Sequence, residues 1–173
     1  MHRFVLLAML FFISSTNALP NSEVVPGGIA LISVPSKNVT YRGQRVWVTE
    51  TNNGLTAIIG IPLSARTGKH YVNAGDVKLS FEVVSKTYQE QHLTITNNRK
   101  VNPYTQDMDR IHRERAEMDA AFLTFNTDRL TDTSFELPVD GPMSSSFGLR
   151  RILNGQSRSP HSGMDIAAPE GTP

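Results

Sequence analysis

The chain has 173 residues, of which 39% are hydrophobic and 19% charged, so it has room for one domain or two small ones and is not a disordered polyelectrolyte. Seventeen Lys and Arg against sixteen Asp and Glu give a formal net charge of +1, which gives no support to nucleic acid or an anionic membrane surface as partner. The absence of cysteine excludes disulfides, cysteine-ligated zinc and an N-terminal lipidated cysteine.

The first segment reads as a signal peptide over residues 1–18. Arg3 supplies a positive start, residues 4–13 are an unbroken apolar run of ten, and Thr16 and Ala18 place small residues where a signal peptidase cuts. Ten apolar residues fall well short of the roughly 20 that span a bilayer, so no transmembrane anchor is expected after cleavage. Loss of this segment would remove one base, Arg3, and no acid, leaving sixteen of each.

Residues 23–86 read as a β-rich domain. Val25-Pro-Gly-Gly28 turns into a buried strand at 29–34, and residues 45–49 alternate. Thr51-Asn-Asn-Gly54 is a hairpin signal, because Asn-Gly tolerates the positive φ of a type I′ turn, and residues 55–61 form the returning strand. Pro62, Gly68 and Ala74-Gly-Asp76 punctuate further strands at 69–72 and 77–84. Short strands at this rhythm predict a small sandwich or barrel, with Trp47 as a packing residue.

Residues 87–134 read as a linker carrying a helix at about 103–125. Asn102-Pro103 offers a cap and a proline at the first helical position. Met108, Ile111, Met118, Phe122 and Phe125 then share one face, which predicts an amphipathic spacer helix packed on a neighbouring domain. Asp109 and Arg113 add an acid-before-base pair four residues apart. Residues 126–134 read as a loop and 135–139 as a strand entering a new domain. That domain, 135–173, has fewer than about 40 residues here, too few to close a core alone.

Chemistry concentrates in His161-Ser-Gly-Met-Asp165. An imidazole and a carboxylate at this spacing suit zinc, which takes nitrogen at about 2.0–2.1 Å and oxygen at about 2.0–2.2 Å. Pro160 and Gly163 rule out a helix, so the pair sits on a loop or strand, with residues 166–169 as an apolar wall. A catalytic zinc normally takes three protein ligands, and this stretch supplies two. His2 lies in the signal segment, while His70, His92 and His112 read as solvated rather than as ligands.

Ser144-Ser-Ser-Phe-Gly-Leu-Arg150, Asn154-Gly155 and His161-Ser-Gly-Met-Asp-Ile-Ala-Ala-Pro-x-Gly-Thr-Pro173 together resemble the opening of the lysostaphin/LytM-type zinc metalloendopeptidases. Val25-Pro-Gly-Gly-Ile-Ala30, Tyr41-Arg-Gly-Gln-Arg-Val46 and Ile58-Ile-Gly-Ile-Pro-Leu63 resemble the β-rich domain preceding the peptidase in Gram-negative members. The resemblance implies a mainly β chain: a small sandwich or barrel, the spacer helix, then the incomplete start of an all-β metallopeptidase domain. It implies that His161 and Asp165 are the first two ligands of one zinc ion. Arg150 is a candidate contact for a substrate carboxylate, set against the plainer reading of a surface or structural arginine. The third ligand and the assisting histidine of the family lie in a His-x-His motif that this sequence lacks, so no catalytic residue is assigned within it. The implied substrate is the cross-link peptide of peptidoglycan, and the implied location is the periplasm of a Gram-negative bacterium. The fragment itself is expected to be inactive. The alternative expectation is a catalytically degenerate LytM-type protein that binds or activates another cell-wall hydrolase.

Overall fold

The structure is a computed structural model and describes residues 19–126 and 135–172. The expected signal peptide and the loop at 126–134, except Asn126, lie outside the described residues. No helix among the described residues is long and apolar enough to cross a membrane.

Seven strands make the N-terminal domain: β1 (Ile29–Ser33), β2 (Val39–Tyr41), β3 (Gln44–Arg45), β4 (Trp47–Thr51), β5 (Gly54–Gly60), β6 (Gly68–Ala74) and β7 (Val77–Val83). They form two antiparallel sheets of order β1-β5-β4 and β3-β2-β6-β7. Side chains two apart on a strand share a face. Accordingly Ala57 and Ile59 of β5, with Ala30 of β1, face Val39 and Tyr41 of β2, Val72 and Ala74 of β6 and Val83 of β7 in one buried cluster. Two sheets closing over one apolar layer define a sandwich. Trp47 is half-buried on β4.

The turns follow local chemistry, with one correction. Asn52 and Asn53 keep negative φ, and Gly54 alone takes φ 105°, so the expected type I′ turn does not form there. Thr51 Oγ1 stabilises the turn instead, donating to Gly54 O at 2.9 Å and accepting from Asn53 N at 3.3 Å. Paired positive φ values occur at Arg42 (53°) with Gly43 (81°) and at Asn154 (50°) with Gly155 (77°), the requirement of type I′ turns.

Beyond the sandwich the chain forms β8 (Glu90–Leu93), a short 3₁₀ turn at Asn98–Lys100 and α1 (Thr105–Phe122). The helix is shorter than expected. Its cap is Tyr104, whose N–H is accepted by the Asp107 carboxylate at 3.1 Å, and Pro103 stands outside. The expected Asp109–Arg113 pair is replaced by Arg110–Glu114 at 3.8 Å and Arg115–Asp119 at 3.1 Å. The packing expectation also fails. Met108 and Ile111 are half-buried, whereas Met118 is 50% and Phe122 85% exposed, and no helix residue is buried. The reason lies at position 115, where the apolar stripe requires a hydrophobe and Arg115 stands instead. The stripe breaks between Ile111 and Met118, leaving the second half no continuous face to bury.

The helix start gives a pH prediction. A hydrogen bond from Arg99, helped by the Tyr104 N–H, holds the Asp107 carboxyl below the usual carboxylate range. A lowered folded value means that the stabilisation is complete above the unfolded carboxylate pKa of about 3.9 and is lost as pH falls through the lower folded value. Circular dichroism should therefore show an acid-limb loss of helicity in the wild type that Asp107→Asn shows in reduced form, because its helix start is already weakened at neutral pH.

The C-terminal part holds β9 (Met143–Ser145), β10 (Arg150–Leu153), β11 (Gln156–Ser157) and β12 (Asp165–Ile166). The segment 135–139, expected as a strand, is irregular, with Phe135 82% and Leu137 70% exposed. Pro138 there has no N–H to give a ladder. Strand β8, read from sequence as polar linker, pairs in parallel with β10 in a sheet of order β11-β10-β8. The chain between the two halves therefore contributes a strand to the second.

Candidate metal centre

His161 and Asp165 are brought together by non-local pairing. β12 lies antiparallel to β9, with Asp165 opposite Ser145. His161, in irregular backbone, is fixed by His161 N donating to Leu149 O at 3.0 Å and His161 O accepting from Gly148 N at 2.7 Å. These contacts set His161 Nε2 3.2 Å from Asp165 Oδ1.

The protonation pattern of the ring follows from its other nitrogen. Nδ1 lies 3.1 Å from Ser146 O and 3.2 Å from Ser145 Oγ. A carbonyl oxygen can only accept, so the tautomer is assigned with the proton on Nδ1. Ser145 Oγ already accepts from Arg151 Nη2 at 3.0 Å and takes a share of the same Nδ1 proton. In the neutral ring Nε2 then presents a lone pair toward a carboxylate oxygen, whereas in the imidazolium its N–H donates to that oxygen. Two acceptors facing each other are satisfied by a cation between them.

The spacing fits zinc. Donors on two tetrahedral bonds of about 2.1 Å stand about 3.4 Å apart, close to the distance seen here. An Nδ1–H donated to a backbone carbonyl is also the usual way in which a zinc-ligating histidine is oriented. His161 is the shielded partner at 19% side-chain exposure, and Asp165 the open one at 51%. No group of three or more His, Cys, Asp or Glu side chains placed to hold a metal occurs among the described residues. Two donors of the right chemistry are present, and a third is not among them.

The other expected residues fall elsewhere. Arg150 sits on β10 opposite Glu90 and pairs with it at 3.2 Å, exposed. Strand alternation turns its neighbour Arg151 to the face that carries Ser145 and His161. Of residues 166–169 only Ile166 is half-buried, so the apolar wall is not built. His92 is exposed, beside Glu90 at 3.9 Å. His70 is not solvated as expected: Tyr41 Oη lies 2.7 Å from its Nδ1, Arg66 O lies 2.8 Å from its Nε2, and Phe81 packs on its ring.

Ser145 and Arg151 were not found by sequence reasoning. Ser145 is a buried polar residue at 7% exposure within a run of three serines. Alternation along β9 was the one available signal, and three identical residues conceal which of them faces inward.

The fold is that of a mainly β chain in which His161 and Asp165 stand side by side. Residues 22–86 match the N-terminal domain of peptidase family M23. A crystal structure of a candidate peptidase M23 from Pseudomonas aeruginosa resembles the chain at 30% sequence identity and a TM-score of 0.62, over 86% of this chain and 57% of that one. The chain thus spans somewhat over half the length of that protein. No curated protein matches it. Both likenesses are to peptidase family M23, the first over residues 22–86 alone.

Proposed function

We propose that this chain is part of an exported zinc-dependent endopeptidase that cleaves the cross-link peptides of peptidoglycan in the periplasm of a Gram-negative bacterium. The observation that carries the reading is the 3.2 Å approach of His161 Nε2 to Asp165 Oδ1 with Nδ1 held by Ser146 O. The M23 likenesses support a peptidase, and the expected signal segment supports export.

When bound, zinc supplies a Lewis acid that polarises a peptide carbonyl and lowers the pKa of water. The residues of this chain do the holding. Ser146 O keeps the proton on Nδ1, so that Nε2 stays available as a donor atom. Arg151 occupies a lone pair of Ser145 Oγ and fixes the wall behind the ring. Asp165 faces solvent, the side from which a polymeric substrate arrives. Arg150, exposed and steadied by Glu90, is the proposed contact for a substrate carboxylate. A catalytic zinc normally takes a third protein ligand, and none stands beside this pair among the described residues.

A peptidoglycan zymogram tests the proposal with the 173-residue chain and with any longer protein that carries it. The chain by itself is expected to give no clearing, and a longer protein zinc-dependent clearing that His161→Ala abolishes. Binding to peptidoglycan without clearing by such a longer protein would instead identify a regulator of another hydrolase. Clearing that survives His161→Ala would refute the assigned ligand.

A further inference from the structure

Tyr88 stands between the sandwich and β8 and touches both halves of the protein. Its hydroxyl donates to Pro26 O at 2.6 Å, across 62 residues of sequence. Its ring meets Phe147 edge-on, with centroids 6.4 Å apart and planes at 71°. Two glycines make room for this contact. A Cβ on Gly148, buried at φ 79°, would fall within the Tyr88 ring. A Cβ on Gly27, at φ 84°, would lie 2.8 Å from both the Phe147 ring and the Tyr88 hydroxyl. Gly27 is itself tied to the sandwich by its N–H to Ile61 O at 2.9 Å.

The far side of the same loop holds the histidine. Ser146 O accepts from His161 Nδ1, Gly148 N donates to His161 O, and Leu149 O accepts from His161 N. One residue after Tyr88, Gln89 O accepts from Arg150 N at 2.8 Å, leading into the β8–β10 ladder. Residues 146–149 are therefore gripped by the sandwich through Tyr88 on one side and grip His161 on the other.

We propose that Tyr88 is a positioning residue: it locks the N-terminal sandwich to residues 146–149 and so fixes the His161 ring as a metal ligand. The sandwich is then a structural part of the metal half-site, not a tethered module. This rests on reading His161 and Asp165 as zinc ligands. The physical basis is preorganisation. A ligand whose orienting carbonyl lies in a free loop pays ordering entropy on binding metal, whereas one whose loop is clamped has met that cost in folding.

The test uses the full 173-residue chain with Tyr88→Ala, Tyr88→Leu and Tyr88→Phe. Three quantities are measured: the ¹³C and ¹⁵N resonances of the His161 ring without metal, the Kd for zinc ions alone followed on those resonances, and the thermal midpoint. Tyr88→Ala and Tyr88→Leu are expected to move the metal-free His161 signals toward the tautomer mixture of free imidazole and to raise Kd roughly tenfold, the cost typical of losing an outer-shell support. Tyr88→Phe, which keeps the ring on Phe147 but loses the hydrogen bond to Pro26 O, should fall between the wild type and Tyr88→Leu. The His70 signals, inside the sandwich, should stay unchanged in every folded variant. Wild-type His161 signals and Kd in Tyr88→Ala would overturn the proposal, and if that variant does not fold Tyr88→Leu decides on the same criteria. A wild-type chain that gives no response to zinc removes the metal reading. The metal-free His161 signals then still decide on the joint, kept if they change in the variants and refuted if they do not.

Discussion

Replacing His161 by alanine is expected to weaken zinc binding by this chain on the order of 100-fold, and Asp165→Ala by a similar factor. Loss of a ligand exceeds the 10- to 100-fold cost of losing an outer partner of one. With two donors among the described residues, the pair has neither the ligand count nor the closed shell of a structural zinc site, so the wild-type affinity is expected to be modest. Either substitution leaves a single donor, no better than any exposed carboxylate or imidazole. Asp165→Asn separates the contributions, since it keeps the shape and removes the charge that offsets the cation. His112→Ala, on the exposed side of α1, should change nothing. Thermal unfolding should shift only slightly in these variants, because neither ligand belongs to the buried cluster. Isothermal titration with zinc ions is the measurement, and wild-type affinity in His161→Ala would mean that the ion binds elsewhere.

Short strand runs bounded by turn residues made the sandwich legible in the sequence. Ala57 and Ile59 are separated by one residue and face one layer, and Gly75 and Gly54 mark reversals that any extended chain of this length requires. The type of turn at Asn52-Asn53 was not legible, because a side-chain bond from Thr51 competes with the backbone preference of Asn-Gly. The helix was legible in position but not in packing, since Arg115 interrupts a stripe that looks continuous when only its apolar members are read. The same difference applies at the site. His161 and Asp165 show in sequence because their types and spacing are local. Ser145 and Tyr88 do not, because each acquires its role from a partner far along the chain: His161 for Ser145 and Pro26 for Tyr88. Phe135–Val139 misled for a related reason. Its apolar residues suggest a strand, but a strand needs a partner edge, and Pro138 removes one of the donors with which to find it.

Ile59→Ala is expected to lower the unfolding free energy by about 2–5 kcal/mol, the range for truncating a large aliphatic side chain in a packed core. Ile59 is 1% exposed and belongs to the cluster in which Val39 and Val72 of the facing sheet are fully buried. A chain of this size has few such residues, so the vacated volume is poorly refilled and the cost should lie in the upper part of that range. Ile58 on the same strand points to the opposite face and is only half-buried, so Ile58→Ala should cost clearly less. Urea denaturation checks both: the midpoint should fall further for Ile59→Ala, with an unchanged slope if the exposed area is the same. The transition also tests the joint at Tyr88. If the sandwich grips residues 146–149, the His161 signals and a sandwich probe such as Trp47 fluorescence should change together at one urea concentration, in the wild type and in Ile59→Ala alike. Two separated transitions, with only the Trp47 one displaced by Ile59→Ala, would mean that the half-site folds without the sandwich.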